Sequence, residues 1–343
     1  MEKKNNLDPQ YNNLLKDILE NGVKKQTRNG EVLSIFGKQI KHKMSDGFPL
    51  LTGKKMFFKG IVTELLWFLR GDTNIKYLVD NDCHIWDGDA YKNYRNKSSM
   101  SNDLDCLVKQ EEGSFLKEMR LYTQEEFINK IKTDDEFAKK WGELGPIYGA
   151  QWRGRLRGYG FNEITGAPLG YGIDPKLDQI ANLIRDLKTN PDSRRLMVSA
   201  WNVGELDQMV LPPCHNFWQL YSVEKEGKRY LSIMVNIRSN DIPLGLPFNI
   251  ASYGLLLEII AKIVNMVPDE LIINIGDAHI YLNQIDGIKE QLTREPFELP
   301  KLVISNQVNF KEGIDEFLNS CLIDDFKVEG YQSHPSIKLP LSN

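Results

Sequence analysis

The sequence predicts an α+β fold, a single domain with a large β-sheet packed by helices. At 343 residues the chain is long for one domain and short for two. Its hydrophobic fraction of 41% is ordinary for a globular protein with a sizeable core. Helical and strand-type segments are mixed along the chain, and no internal repeat interrupts them. Together these features indicate helices and a sheet that share one core.

The first part of the chain predicts a helix, a strand and a second helix. Residues 11–19 place leucine and isoleucine on one helical face, with Gly22 behind them. Residues 32–40 form a strand-type run after a polar turn. Residues 61–69 are strongly apolar and helical in type, and they carry one acid, Glu64. A carboxyl group among such neighbours should have a raised pKa.

The second half predicts strands flanked by two helices. Asp174 and Pro175 favour a helix start that is followed by a buried stripe up to Leu187. A buried strand at 196–201 comes next. Two further strands at 217–223 and 229–237 are joined by a polar turn at 224–228, and an apolar helix at 251–264 ends before Pro268.

Two stretches differ in composition from their surroundings. Residues 87–140 are rich in charged and small polar residues, and residues 154–172 are rich in glycine. Within the first stretch, Thr123 followed by Glu126 resembles a capped helix start. We interpret both stretches as surface insertions in one domain that spans residues 1–343.

Charge and cysteine usage limit the class of protein. A net charge of −4 and a pI near 5.9 argue against a surface that coats nucleic acid. The absence of a continuous run of about 18 apolar residues predicts no membrane span. The charged N-terminus does not resemble a secretory signal. Four scattered cysteines lack metal-ligand spacing, so we expect reduced thiols, no metal and a cytoplasmic location.

Cys214 is the first candidate for chemistry. Pro212 and Pro213 stiffen the backbone immediately before it and thereby restrict where its sulfur points. From this motif alone, a small buried residue in a rigid turn is an equal alternative. A metal site is weaker because no partner lies at ligand spacing. A cysteine hydrolase would need a general base, which five histidines leave possible.

Arginines accompany this cysteine. Arg194 and Arg195 precede the strand at 196–201, Arg238 ends another strand, and Arg28 lies in an early turn. Guanidinium groups suit phosphate oxygens, and a nearby positive charge lowers the pKa of a thiol. Taken singly, each arginine is more typical of a solvated surface.

The cysteine motif and its neighbours resemble the thymidylate synthase family. The matching blocks are ELLWFLRGDTNI (64–75), GPIYG with QWR (145–153), SAWNVGEL with LPPCH (199–215), LGLPFNIASY (244–253) and GDAHIY (276–281). They occur in the family's order from about Tyr11 to Pro340, with gaps only at the two insertions. The resemblance implies a mixed sheet, one face of which forms a homodimer interface.

The resemblance also implies a reaction. The family converts dUMP to dTMP, with methylenetetrahydrofolate as the donor of both the one-carbon unit and the hydride. Cys214 would attack C6 of uracil, which makes C5 a carbon nucleophile. Glu64 would manage protons around the base through water. Tyr148 and Asn202 match further positions that line the reaction.

The resemblance assigns further residues to the two substrates. Arg194 and Arg195 would come from the partner subunit, and the Asn249 amide would pair with O4 and N3–H of uracil. The residues implied for dUMP are Arg28, Arg194, Arg195, Arg238, Ser239, Asp241, Asn249, His279 and Tyr281. The residues implied for folate are Lys54, Lys55, Ile85, Trp86, Asp241, Leu244, Gly245, Phe248 and Asn343.

Three departures from the family pattern bear on the outcome. Asp87-Gly88-Asp89 follows Trp86 where a second tryptophan is common, Asn236-Ile237 precedes Arg238 where glutamine is common, and the chain ends at the polar Asn343. Poorer exclusion of water would favour a related dUMP hydroxymethylase, in which water replaces hydride. A non-catalytic nucleotide-binding or RNA-binding relative is the alternative from another class, although binding alone needs neither Cys214 nor Glu64. No nucleic acid or membrane partner is expected.

Overall fold

A six-stranded sheet forms the centre of the molecule in the computed structural model, which describes residues 5–100, 107–110, 117–154 and 177–342. Its strands lie in the order β1-β2-β8-β7-β6-β5. Neighbours are antiparallel except for β7 and β8, which are parallel. The six strands are β1 (Val23–Thr27), β2 (Gly30–Lys43), β5 (Met197–Ser199), β6 (His215–Lys225), β7 (Lys228–Asp241) and β8 (Val267–Tyr281).

Helices cover one face of this sheet. The longest is α9 (Gly245–Ile263), which connects β7 to β8 and is buried along most of its length. A crossover of this kind is what a parallel strand pair requires. The other helices are α1 (Leu7–Asn21), α2 (Phe58–Leu69), α3 (Lys76–Asp80), α4 (Asp87–Met100), α5 (Gln124–Thr133), α6 (Asp135–Trp141), α7 (Tyr148–Gly154), α8 (Gln179–Thr189), α10 (Ile285–Gln291) and α11 (Ile314–Ser320).

Two small sheets complete the described structure. Strand β3 (Leu107–Gln110) pairs with β4 (Lys117–Arg120), and β9 (Lys301–Ile304) pairs with β10 (Phe326–Glu329). The single-domain α+β prediction with a large mixed sheet is confirmed.

The two faces of the main sheet differ in burial. Along β7, residues Leu231, Ile233 and Val235 are completely buried under the helices. Met234 alternates with them and lies directly opposite Ile272 of β8 on the other face. These two residues line a shallow depression with Tyr221 of β6, which is 64% exposed. This chain therefore has a sheet face that its own helices leave open, on which these apolar residues lie among polar and charged ones.

Local sequence signals explain several element boundaries. The polar turn predicted between β6 and β7 is confirmed, with positive φ angles of 52° at Glu226 and 75° at Gly227. The predicted cap of α5 is also confirmed, because Thr123 and Glu126 form a reciprocal capping box. The predicted helix start at Asp174 lies outside the described residues, and the described helix α8 begins at Gln179. Leu177 is still extended, and Asp178 caps the helix by accepting from the backbone N–H of Ala181.

Helices of the stretch 87–140 contribute buried side chains to the fold. Helices α4, α5 and α6 bring Tyr94, Phe127, Phe137 and Trp141 into one aromatic cluster, all at most 7% exposed. This cluster is continuous with the core. Its boundaries as an insertion stay a prediction, and nearly all of the predicted insertion at 154–172 lies outside the described residues.

Helix α9 has the length and apolar composition of a membrane span. Its 18-residue window has a mean hydropathy of 1.4, and 78% of that window is buried inside the fold. The sequence predicted an apolar helix here, at 251–264, but no membrane span, because charged residues such as Glu258 and Lys262 interrupt the apolar run. Burial on this scale is typical of the central helix of a globular core.

Candidate active site

Cys214 lies in the loop that enters β6, and contacts from two other elements hold this loop. Its backbone N–H donates to the Tyr148 hydroxyl over 2.8 Å. Arg238, on β7, donates to the carbonyl oxygens of Pro212 and Pro213 over 2.8 and 2.9 Å. The same guanidinium places Nη2 3.8 Å from the Cys214 sulfur. The proline loop and Arg238 therefore fix where the sulfur points.

The charges around the sulfur act in opposite directions. Burial raises the pKa of the Cys214 thiol, the Arg238 guanidinium lowers it, and the Asp89 carboxylate raises it. The thiol in the free protein is therefore mostly protonated near neutral pH. Arg238 is the described group that favours its ionisation.

Glu64 projects from α2 into the same region. The Trp86 indole donates from Nε1 to Oε1 of Glu64 over 2.8 Å. Burial among apolar neighbours raises the pKa of the Glu64 carboxyl to about 7, and the Trp86 hydrogen bond lowers it. The pKa rise expected from the sequence is confirmed. A carboxyl group with this pKa can both accept and release a proton near neutrality.

Aromatic rings connect these two groups. The Tyr148 ring stacks on the His215 ring with centroids 4.1 Å apart, and Trp86 contacts Tyr148 edge-on at 6.1 Å. His215 shares a hydrogen bond of 2.7 Å with the Tyr253 hydroxyl, and burial lowers the pKa of His215 to about 3. His215 is therefore a neutral support. The sequence prediction missed His215 and Tyr253, although both lie inside the recognised blocks.

Asn202 belongs to a polar network beside the cysteine loop. Its Nδ2 donates to Oε2 of Glu205 over 2.8 Å, and Gln151 donates to the same oxygen over 2.6 Å. Glu205 therefore fixes the Asn202 amide. The sequence prediction did not name Glu205 or Gln151 as site residues, because their roles depend on contacts between α7 and a distant loop.

The predicted phosphate-binding arginines are not all brought together within one chain. Arg28 is in the turn of the β1–β2 hairpin and bonds Asn29. Arg194 and Arg195 are exposed before β5. Within the described ranges, neither of these two side chains makes a hydrogen bond or ion pair with a residue of the Cys214 site. Only Arg238 among the predicted arginines contacts the cysteine.

The predicted base and sugar residues each have a polar partner. Asn240 donates from Nδ2 to Oδ1 of Asn249 over 3.1 Å. His279 donates from Nδ1 to Oδ1 of Asp277 over 3.1 Å, which leaves Nε2 as an acceptor. The ring of Tyr281 lies 5.5 Å from that of His279.

Asp241 is held at the junction of β7 and α9. It accepts from the backbone N–H of Leu244 and from Nε2 of Gln284, each over 3.0 Å. Burial raises the pKa of its carboxyl, and these hydrogen bonds lower it. Gln284 also donates to the carbonyl of Pro340, so the C-terminal segment reaches this junction.

The predicted folate residues fall into apolar and basic groups. Ile85 is 41% exposed and Phe248 is half-buried, so both offer apolar surface, while Trp86 is buried. Lys54 is buried, donates to the Pro243 carbonyl, and has its pKa lowered by burial to about 8. Its charge points into the protein, whereas Lys55 is exposed. Asn343 lies outside the described residues.

No group of three or more metal-ligating side chains occurs in the part of the chain that the structure describes.

Comparison with known proteins gives a consistent result. A family model described as thymidylate synthase matches residues 9–343. A thymidylate synthase of Mesoplasma florum is 43% identical over 96% of this chain and 97% of the relative. One of Malacoplasma penetrans is 43% identical over 96% and 98%. One of Listeria monocytogenes is 42% identical over 97% and 99%.

Proposed function

Because this chain belongs to the thymidylate synthase family, we propose that it methylates dUMP to dTMP with methylenetetrahydrofolate. The observation that carries the proposal is a cysteine sulfur 3.8 Å from a guanidinium, linked through Tyr148 and Trp86 to a carboxyl group whose pKa burial raises to about 7. A nucleophile and a proton carrier are what this reaction requires of the protein.

The residues of the chain perform the covalent steps on the pyrimidine. The Cys214 thiolate adds to C6 of uracil, and the electron pair of the C5–C6 bond makes C5 nucleophilic. Folate supplies the one-carbon unit and the hydride. Glu64, through water, protonates and deprotonates the O4 side of the ring as charge develops there. Once C5 has bonded to the one-carbon unit, C5 loses its proton to water. The folate hydride then reduces the transferred carbon to a methyl group, and the sulfur leaves C6 as a thiolate, which restores the C5–C6 double bond.

Other side chains would bind the two substrates. The proposed dUMP contacts are Arg28, Arg194, Arg195, Arg238, Ser239, Asp241, Asn249, His279 and Tyr281. The proposed folate contacts are Lys54, Lys55, Ile85, Trp86, Asp241, Leu244, Gly245, Phe248 and Asn343. Asp241 is supported by its position at the junction of β7 and α9, and Arg238 by its position next to the nucleophile.

A homodimer would complete the site. The open sheet face with Tyr221, Met234 and Ile272 is a suitable interface, and Arg194 lies on the same surface as Gln219 and Tyr221. Two copies joined through this face would bring Arg194 and Arg195 of each toward the site of the other. We place the enzyme in the cytoplasm, in keeping with free thiols at the three described cysteines.

The activity test uses purified protein with dUMP and methylenetetrahydrofolate. A steady rise in near-ultraviolet absorbance from dihydrofolate, abolished by Cys214→Ser, is the expected result. Mass analysis of the nucleotide separates the other outcomes. Hydroxymethyl-dUMP would show that water replaces hydride, and unchanged dUMP would refute the catalytic proposal.

A mixing experiment tests the shared site. Cys214→Ser and the double variant Arg194→Ala/Arg195→Ala are each expected to be inactive. If the arginines act across the interface, mixed dimers contain one site with an intact cysteine and intact arginines, so activity returns. The mass of the mixed dimer verifies that subunits have exchanged. If they have exchanged and activity stays absent, the proposal is contradicted.

A further inference from the structure

A second side-chain amide holds Asn249. Asn240, near the end of β7, donates from Nδ2 to Oδ1 of Asn249 over 3.1 Å. Asn240 is 5% exposed, so water competes little for this hydrogen bond. None of the sequence blocks suggested a role for Asn240, and it has no part in the proposed contacts to substrate.

The first turn of α9 provides the place for the Asn240 amide. Gly245 and Asn249 are four residues apart on this helix and therefore lie on one face. A Cβ atom at Gly245 would lie 2.7 Å from Oδ1 of Asn240. The missing side chain at 245 thus leaves room for Oδ1 of Asn240, while its Nδ2 reaches Asn249.

The orientation of the Asn249 amide decides which pyrimidine it can pair with. The two ends of a side-chain amide have nearly the same shape, but one accepts hydrogen bonds and the other donates them. Uracil presents a donor at N3 and an acceptor at O4, whereas cytosine presents an acceptor at N3 and a donor at N4. An asparagine that suits uracil must therefore turn over to suit cytosine.

The hydrogen bond from Asn240 opposes that rotation. In the observed orientation, Oδ1 of Asn249 keeps one lone pair for an N3–H group, and its Nδ2 remains free to donate. Turning the Asn249 amide over would place its NH2 group against the NH2 group of Asn240. We propose that Asn240 is a positioning residue that favours uracil over cytosine by fixing the orientation of the Asn249 amide. This inference rests on the proposed role of Asn249 in reading the base.

The test measures the dissociation constants of dUMP and dCMP for the wild type, Asn240→Ala and Asn240→Asp. Both nucleotides carry the same phosphate and sugar, so the ratio of their constants removes general effects of charge. Loss of one net hydrogen bond in Asn240→Ala should lower the preference for dUMP by about 2- to 10-fold. The Asn240→Asp carboxylate accepts only and should attract the NH2 of Asn249, which lowers the preference by roughly 10-fold or more.

A matched control is Asn182→Asp on α8, where Arg185 donates to Oδ1 of Asn182. It introduces the same change of charge and should leave the ratio unchanged. A ratio that stays at the wild-type value in Asn240→Ala or Asn240→Asp, with the fold intact by circular dichroism, would overturn the inference. If Asn240→Asp does not fold, Asn240→Ala decides alone. Wild-type protein that fails to bind dUMP would instead refute the proposed function.

Discussion

Replacing Glu64 with glutamine should stabilise the protein at neutral pH but not at acid pH. Burial raises the pKa of this carboxyl from 4.5 to about 7, so between these values the folded protein holds a proton that the unfolded chain has lost. The contribution of Glu64 to stability is therefore fully present below about pH 4.5 and is lost as the pH rises from there through about 7. A tenfold change in proton affinity is worth about 1.4 kcal/mol, so the loss amounts to roughly 3 kcal/mol.

Urea denaturation of both proteins measures this effect, at one protein concentration and at intervals from pH 5 to pH 8.5. The difference in the free energy of unfolding between Glu64→Gln and the wild type should grow with pH and level off above about pH 7. Other titrating groups cancel in that difference. Glu20→Gln, at an exposed position on α1, controls for the loss of one carboxylate. A difference that is the same at pH 5 and pH 8 would refute the desolvation argument.

Further variants probe the contacts of the site. Tyr148→Phe leaves the partly buried N–H of Cys214 without its acceptor, which costs about 1–3 kcal/mol and should lower kcat by roughly 10- to 100-fold. An unchanged kcat in steady-state assays would contradict this. Arg238→Gln removes the positive charge near the sulfur, so the pH at which iodoacetamide alkylates Cys214 should rise, and an unshifted profile would refute the role of that charge. Asp277→Asn removes the carboxylate that orients His279 and should raise the KM for dUMP roughly 10-fold with a smaller change in kcat. A 3′-deoxy analogue of dUMP should bind the variant and the wild type equally.

Local patterns in the sequence were sufficient for much of the fold. The β6–β7 turn, the capping box at Thr123 and the apolar helix α2 each depend on residues within a few positions of one another. The start of α8 was not predictable in this way. Asp178 caps the described helix and forms an ion pair with Arg153 of another element, whereas the predicted cap, Asp174, lies outside the described residues.

The site was predictable where one residue type determines the chemistry. The pKa of Glu64 followed from its apolar neighbours, and the prolines before Cys214 indicated a restricted loop. The supporting contacts were not predictable, because Asp277 meets Ser34 and Lys25 across the sheet and Glu205 meets Gln151 from another element. Lys54 was expected to contact folate, and a hydrogen bond to the Pro243 carbonyl holds it in the interior. Sequence patterns identify the types of side chain that are present, whereas tertiary packing determines which of these side chains contact one another.

The position of β2 in the central sheet has a consequence for how the chain acquires its structure. Residues 32–43 of β2 pair with residues 270–281 of β8. The first long strand therefore cannot complete its pairing until a strand near the other end of the chain is available. Contacts between such distant residues carry a large loop-closure cost and slow folding. During synthesis, β2 would leave the ribosome with a pairing edge open until β8 emerges, and open edges invite aggregation. A nascent chain that stops before residue 267 therefore lacks the strand that joins the N-terminal hairpin to β7. Chaperone dependence of this protein in the cell should be concentrated in that interval of translation.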